Sequence, residues 1–285
     1  MLVALRQGRP NDAEACGRIC YEAFRHISGQ HNFPQDFPDP DTAIGVLSMM
    51  LSHPGFYVVV AEQDGKIIGS NALDERSAIA GIGPITVDPS VQNAGTGRQL
   101  MQHVMDRVAE RRFPGVRLVQ AAYHNRSLSL YTKLGFDPRE PLACMQGPPL
   151  TEKTPGYSVR AGTAANVAGC DEVCQRVHGH ARSGEVTDAL QQGTLHVVEH
   201  GGRITGYTTG VAFFAHSVGE TNNEIKALIA AAPSFGGPGF LVPIRNADLF
   251  RWCLSHGLRM VQVMTLMSVG LYNEPHGAWL PSILY

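Results

Sequence analysis

Apolar residues follow two different periods along the first half of the chain. At 16–27 they recur every three or four positions, which predicts an amphipathic helix. At 56–62 and 66–73, apolar and β-branched residues flank the turn Gln63-Asp64-Gly65, which predicts a β-hairpin. The same reasoning predicts two more strands and two more helices, at 82–87, 116–123, 100–108 and 127–134. Strands that alternate with helices indicate an α/β protein.

The second half repeats residues of the first half in the same order, at an offset that shrinks stepwise. The matched sets are Arg6, Gly8, Cys16, Cys20 and His26 with Arg160, Gly162, Cys170, Cys174 and His180, then 60–69 with 197–206, then Asn125 and Leu128 with Asn246 and Leu249. A duplicated fold that lost loop residues in its second copy produces this pattern. A proline-rich segment at 146–157 separates the copies, so we predict domains at 1–149 and 156–285.

Composition narrows the class of protein. The chain has 285 residues, 44% hydrophobic residues and a formal net charge of −2. It can therefore build a core, and it lacks the basic surplus of a nucleic-acid-binding protein. No apolar run approaches the roughly 20 residues that span a bilayer, and the N-terminus does not resemble a signal peptide. We expect a cytoplasmic protein without membrane or nucleic-acid partners.

Cysteine pairs stand at i and i+4 in each copy, at Cys16/Cys20 and Cys170/Cys174. This spacing can place two metal ligands on one helix face. These cysteines lie on apolar stripes, however, and no matching pair stands elsewhere. We therefore predict buried cysteines and no metal site.

The stretch between the strand at 82–87 and the following helix carries the most chemical information. It reads Q92-N-A-G95-T-G97-R98, and Gly95 and Gly97 leave room for a ligand close to the backbone. A helix N-terminus offers free N–H groups and a positive dipole end, which suit a phosphate or pyrophosphate. The alternative is a tight turn that packs the helix onto the sheet.

A second motif follows about 30 residues later, where the chain reads N125-R-S-L-S-L-Y131-T-K-L-G-F136. Together the two motifs resemble the GNAT acetyltransferase superfamily. Its phosphate loop is Q/R-x-x-G-x-G/A, and its later motif is N-x-x-[AS]-x-x-[LF]-Y-x-K-x-G-F. Leu128 stands here in the small-residue position. The resemblance covers residues 3–145.

The resemblance implies an α/β fold of two tandem domains, each a mixed, mostly antiparallel sheet flanked by helices. It also implies acetyl-CoA as the cofactor, released as CoA. Strand residues would hold the acetyl carbonyl and the pantetheine arm, and the loop would bind the pyrophosphate. Tyr131 would protonate the departing thiolate. The implied cofactor-binding residues are Ile85, Val87, Gln92, Asn93, Ala94, Gly95, Thr96, Gly97, Arg98, Asn125 and Tyr131.

The general base does not follow the family pattern. Many members carry a glutamate on the strand that leads into the phosphate loop, and here 80–87 contains no acid. We place Glu75 first as the catalytic base, with an ordinary solvated acid as the alternative reading. Other candidates are Asp74, His26, His31, Asp36 and a water molecule.

A segment rich in proline and aromatic residues, 31–40, occupies the region that often covers the acceptor in this superfamily. We expect it to be an acceptor-side lid rather than a plain surface loop.

The second copy looks degenerate. After a strand predicted at 210–214, only Gly219 remains of the phosphate loop, and Glu220 and Glu224 add negative charge there. Trp252 stands at the position of Tyr131, and its indole cannot act as the acid. This copy, with an apolar C-terminal run from 261 to 285, would close the acceptor pocket, form a homodimer, or both.

The sequence thus predicts an N-acetyltransferase that acts on a small-molecule or protein amine, with its active site in the first copy. One alternative is a sensor that binds acetyl-CoA without turnover. Another is acyl transfer to a sugar-linked amine, as in tandem proteins similar to mycothiol synthase. In that family pattern the active site lies in the second copy.

Overall fold

A computed structural model describes residues 3–92 and 94–284. In the first half its elements are β1 (Ala4–Gln7), α1 (Ala13–Gln30), α2 (Pro40–Ser52), β2 (Phe56–Gln63), β3 (Lys66–Asp74), β4 (Ala80–Val87), α3 (Thr96–Glu110), β5 (Gly115–Ala121), α4 (Asn125–Lys133) and β6 (Asp137–Gln146). The second half contains β7 (Ser158–Ala161), α5 (Val167–His178), α6 (Ser183–Gln191), β8 (His196–His200), β9 (Arg203–Thr208), β10 (Ser217–Gly219), α7 (Asn222–Ala231), β11 (Phe240–Pro243), α8 (Ala247–Ser255), β12 (Arg259–Gly270) and β13 (Ala278–Leu280).

Local sequence signals account for several of these elements. The predicted hairpin forms between β2 and β3, and Asp64 and Gly65 both adopt positive φ angles, 51° and 76°. The sequence analysis did not predict α2. This helix begins at Pro40, and Asp39 caps it, since its carboxylate accepts a hydrogen bond from the backbone N–H of Thr42 at 2.7 Å.

The strand registers confirm the internal repeat. In the first copy Ala61 pairs with Gly69 and a bulge follows directly, and in the second copy Val198 pairs with Gly206 and the same bulge follows. The repeated arginine also makes equivalent bonds, so the match extends to side chains. In the first copy, Arg6 donates from Nε to Glu62 at 2.9 Å and from Nη1 to Asp12 at 2.8 Å. In the second copy, Arg160 donates from Nε to Glu199 at 3.1 Å and from Nη1 to Asn166 at 3.0 Å.

The two halves share one sheet. Eight strands lie in the order β1-β2-β3-β4-β5-β12-β6-β11, and the other five in the order β13-β10-β9-β8-β7. The second-half strand β12 runs antiparallel to both β5 and β6, and β11 pairs with β6. Two strands of the second half, β11 and β12, are therefore covered by strands of the first half. The domain boundaries at 1–149 and 156–285 remain a prediction. Strands from both predicted domains interleave in the eight-stranded sheet.

The strand predicted at 210–214 is wrong. This segment forms turns, and the strand before α7 is β10, at Ser217–Gly219. Val211 and Phe213 are buried nonetheless. The apolar pattern at 210–214 therefore reflects burial of a loop, which among the described residues makes only a single β-bridge, between Ala212 and Gly236.

The C-terminal segment connects the copies. After β12, β13 pairs antiparallel with β10 of the second copy. The chain end then lies between the copies, since the N–H of Ile283 donates to the carbonyl of Phe213 in the second copy at 2.8 Å and Leu284 packs with Met50, Val58 and Ala72 of the first. Among residues 3–92 and 94–284, none of the helices is both long and apolar enough to cross a bilayer.

Candidate functional site

A cavity of about 350 Å³ opens where β4 and β5 separate. The two strands pair in parallel only from Ala80↔Val116 to Ile82↔Leu118. Beyond Ile82, the edge of β4 has no partner strand among the described residues. Residues from both copies line the cavity. Those from the second copy are Phe213, Phe214, Met264, Ile283 and Leu284.

The free edge of β4 presents backbone donors to this cavity. The N–H of Asp88 bonds to the carbonyl of Ile68, on the β3 side, at 2.8 Å. Because successive N–H groups of a strand point to opposite sides, those of Val87 and Ile85 point toward the cavity. Both residues line it.

The glycine-rich loop forms the N-terminus of α3, at the same cavity. Gly95 is the N-cap with a φ of 88°, a conformation that favours glycine, and the first intrahelical bond runs from Gln99 N to Gly95 O. The N–H groups of Thr96, Gly97 and Arg98 precede that bond, so the helix itself does not satisfy them. All three residues line the cavity.

The packing of the chain does not explain Gly97. A Cβ at this position would come no closer than 3.9 Å to any neighbour, at Val87. The space beside the helix N-terminus is therefore open. Gln92 holds the loop, because its Nε2 donates to the Val87 carbonyl at 3.0 Å and its Oε1 accepts from Arg126 at 3.2 Å.

Some of the polar side chains that line this cavity hold buried atoms without hydrogen-bond partners. They include the hydroxyls of Thr86 and Thr96 and both amide atoms of Gln120. These side chains are at least nine-tenths buried and all three line the cavity. Because most buried polar groups in proteins are paired, this arrangement indicates a polar ligand. Gln120 was not among the predicted site residues, although a glutamine near the end of the apolar strand at 116–123 was a usable signal.

Tyr131 lies on α4 and also lines the cavity. It is buried, and burial raises the pKa of its phenol to about 12 while the Ser127 hydroxyl opposes the shift. The phenol therefore stays protonated at neutral pH and can donate a proton. The His124 ring orients the start of α4, because its Nδ1 accepts from the N–H of Ser127 at 3.0 Å.

The structure brings together Ile85, Val87, Gln92, Gly95, Thr96, Gly97, Arg98 and Tyr131 from the predicted set. Ala94 and Asn125 are exposed and are not part of the cavity lining. Asn93 lies outside the described residues. Glu75 does not line the cavity, because Arg107 binds both of its oxygens at 2.6 and 2.9 Å.

Of the other base candidates, Asp36 and His26 line the cavity, and His31 and Asp74 do not. Gln262 of β12 donates its Nε2 to Asp36 at 3.1 Å, and burial raises the pKa of Asp36 to about 6. Phe37, beside it, also lines the cavity. This placement supports the interpretation of 31–40 as an acceptor-side lid.

The second copy also has a cavity, of about 400 Å³, beside the N-terminus of α7, but its lining includes the carboxylates of Glu140, Glu220 and Glu274. The α7 N-terminus is capped internally, since the Glu224 carboxylate accepts from the N–H of Thr221 at 2.9 Å. Glu220 lies beside it and binds Arg203 at 2.6 Å. In this copy β13, rather than a parallel strand, pairs with β10. Negative charge and internal capping both oppose binding of a pyrophosphate here.

The site is thus a cleft in an α/β fold, between diverging strands, and it ends at a glycine-rich helix N-terminus that suits an anionic ligand. Residues 20–136 match the family model described as Acetyltransferase (GNAT) family, so the chain contains a domain of this family. The acyl donor of this family is acetyl-CoA. No curated protein matches the chain.

Solved structures support the fold over the whole chain. A proposed acetyltransferase from Pyrococcus horikoshii is 14% identical, with a TM-score of 0.74, and the alignment covers 97% of this chain and 94% of that one. A GCN5-related N-acetyltransferase from Sphaerobacter thermophilus is 16% identical, with a TM-score of 0.63, and the alignment covers 95% of this chain and 96% of that one. A tandem GNAT protein from the clavulanic acid biosynthesis pathway is 13% identical, with a TM-score of 0.57, and the alignment covers 94% of this chain and 98% of that one. These likenesses confirm the predicted fold class.

Proposed function

We propose that this protein transfers the acetyl group of acetyl-CoA to an amine, and that the reaction takes place in the first copy, between β4 and β5. The observation that carries this proposal is the set of unpartnered polar atoms of Thr86, Thr96 and Gln120 around one cavity. The open helix N-terminus beside Gly97 supplies the anion site that a pyrophosphate requires.

The chain contributes positioning and electrostatics. The N–H groups of Thr96, Gly97 and Arg98 would bind the pyrophosphate, and the free edge of β4 would bind the pantetheine arm as an added strand. The N–H of Val87 would stabilise negative charge that builds on the thioester oxygen during attack. Acetyl-CoA, when bound, supplies the activated acetyl group.

Tyr131 would complete the reaction as general acid. Its buried phenol is neutral at pH 7 and can protonate the departing thiolate, which prevents the reverse reaction. No covalent enzyme intermediate is required.

A thiol-release assay with an amine panel, combined with calorimetric titration of acetyl-CoA, tests this proposal. Tyr131→Phe should lower kcat about 100-fold while the Kd for acetyl-CoA changes less than twofold. Tyr57→Phe is the matched control, because Tyr57 bonds His103 at 2.8 Å outside the cavity. Tight binding of acetyl-CoA without turnover of any amine would instead support the sensor.

The placement in the first copy has its own test. Gly97→Glu puts negative charge at the open α3 N-terminus and should abolish binding of acetyl-CoA, with a stoichiometry of one in the wild type. A protein that still binds one equivalent after this change would place the site in the second copy.

We also propose a cytoplasmic location. The six cysteines, Cys16, Cys20, Cys144, Cys170, Cys174 and Cys253, are unpaired and buried. A reducing compartment is the environment in which cysteines normally stay in this form.

A further inference from the structure

Asp36 is a carboxylate at the apolar end of the cavity. Its neighbours there are aromatic: Phe37 follows it, and the Phe37 ring lies 5.8 Å from Phe24 and 6.4 Å from Phe214. Phe24, Phe37 and Phe214 all line the cavity. A carboxylate in such surroundings is costly unless a cation or several hydrogen bonds compensate it.

No basic side chain compensates Asp36 among the described residues, since none forms a salt bridge with it. Its one side-chain hydrogen bond comes from Gln262. Asp36 interacts electrostatically with the titratable groups of Cys20 on α1, Tyr123 after β5 and Cys144 on β6. Burial raises the pKa of all three, so they are neutral and supply no countercharge.

The cationic side chains of the cavity lie at its other end. Arg98 belongs to the first turn of α3, and Arg126 binds Gln92 of the same loop. The charge therefore divides along the cavity, with positive groups at the phosphate loop and the Asp36 carboxylate at the acceptor side. An acceptor with its own carboxylate or phosphate would find no partner near Asp36.

The second copy supplies the apolar wall of this end. Phe213, Phe214, Met264, Ile283 and Leu284 line the cavity, and none of them carries a charge. Aromatic rings around a carboxylate also favour an ammonium group, which gains both an ion pair and contact with the ring faces.

We propose that the acceptor is a primary monoamine with an apolar, uncharged body, and that Asp36 binds its ammonium group and accepts a proton from it. This inference rests on the proposed acetyl transfer and adds the class of acceptor and the base. Gln262 is a positioning residue, since it acts through Asp36.

One N–H bond of the ammonium breaks, and its proton passes to Asp36. The freed lone pair forms the N–C bond while the C–S bond breaks and its electrons leave on sulfur. Tyr131 protonates the thiolate and regains a proton from the new amide nitrogen, and Asp36 later releases its proton to water.

The experiment compares Asp36→Asn with Asp41→Asn, a matched control at an exposed position of α2. The probes are 2-phenylethylamine, spermidine and lysine, with acetyl-CoA as donor. For 2-phenylethylamine, Asp36→Asn should lower kcat/KM at least 100-fold, while the Kd for acetyl-CoA stays within twofold. The wild type should use 2-phenylethylamine at least tenfold better than the other two probes, and Asp41→Asn should match the wild type.

The dependence of kcat/KM on pH distinguishes a base from a residue that has only a structural role. The wild-type kcat/KM should fall below about pH 6, the range in which Asp36 becomes protonated. Gln262→Leu removes a hydrogen bond that lowers the Asp36 pKa, so this limb should move to higher pH. Asp36→Asn should fold with an equal or higher Tm, because it removes an uncompensated buried charge.

The outcomes separate the two proposals. If the wild type does not bind acetyl-CoA, the proposed function fails. If it binds and turns over amines but Asp36→Asn is fully active, or lysine or spermidine is preferred, only the present inference fails.

Discussion

Gly81 lies in β4 where the C-terminal segment crosses it, and a single methyl group there should release that segment. A Cβ at Gly81 would come within 2.2 Å of the backbone oxygen of Leu284. The nearest atom outside Leu284, Cβ of Asp74, is 3.6 Å away and would not clash. Since β4 is held between β3 and β5, we expect the chain end rather than the strand to move in Gly81→Ala.

The magnitude follows from what Leu284 buries. Its side chain is only 7% exposed and packs with Met50, Val58 and Ala72. Burial of a leucine side chain contributes about 1.5–3 kcal/mol, and the freedom regained by the released residues offsets part of this loss. We expect the free energy of unfolding to fall by about 2 kcal/mol, which corresponds to a decrease of roughly 4–8 °C in Tm.

Thermal unfolding and carboxypeptidase digestion measure this effect. The rate at which carboxypeptidase releases Leu284 should rise, and the KM for the amine should rise while the Kd for acetyl-CoA does not. Gly45→Ala on α2 is the control, since its Cβ would meet no atom within 4 Å and should stabilise the helix. A Tm within 1 °C of the wild type together with unchanged digestion would refute the reasoning.

Three further predictions concern other parts of the chain. Glu75→Gln should lower Tm, because it breaks the ion pair with Arg107. It should leave kcat/KM within twofold of the wild type, and a large loss of activity would instead support Glu75 as the base. As the pH is lowered from 6.5 to 4, Tm should decrease, because burial lowers the pKa of His180 and His216 to about 4 and only the unfolded chain binds their protons in this range. His180→Gln should reduce this dependence of Tm on pH, and a Tm that does not change with pH would contradict the lowered pKa values. Deletion of 279–285 removes most of β13 from its pairing with β10 and should give insoluble protein, whereas a soluble, fully active product would show that this strand is dispensable.

Much of the first copy was predictable because its signals are local. The β2–β3 hairpin follows from Asp64-Gly65, and the α3 N-terminus follows from the glycine spacing at Gly95 and Gly97. Each depends on backbone preferences of adjacent residues. The repeat was also visible in the sequence, because Arg6 recurs as Arg160. In the structure both arginines make equivalent contacts within their copies.

The choice of base was not predictable in this way. Glu75 is the nearest suitable carboxylate in sequence order, yet Arg107 from α3 binds it away from the cavity. Asp36 was one of several alternatives, and its surroundings come from elements far apart in the chain. Gln262, which bonds it, lies 226 positions away.

The sequence by itself therefore determined the fold class, the duplication and the glycine-rich loop at the start of α3, since periodicity, turn residues and short motifs act over a few neighbouring positions. Only the tertiary structure decided that β12 enters the sheet between β5 and β6 and that the C-terminal segment lines the first cavity. The physical reason is that strand exchange between copies and the packing of a chain end depend on long-range pairing, for which no local pattern carries a signal.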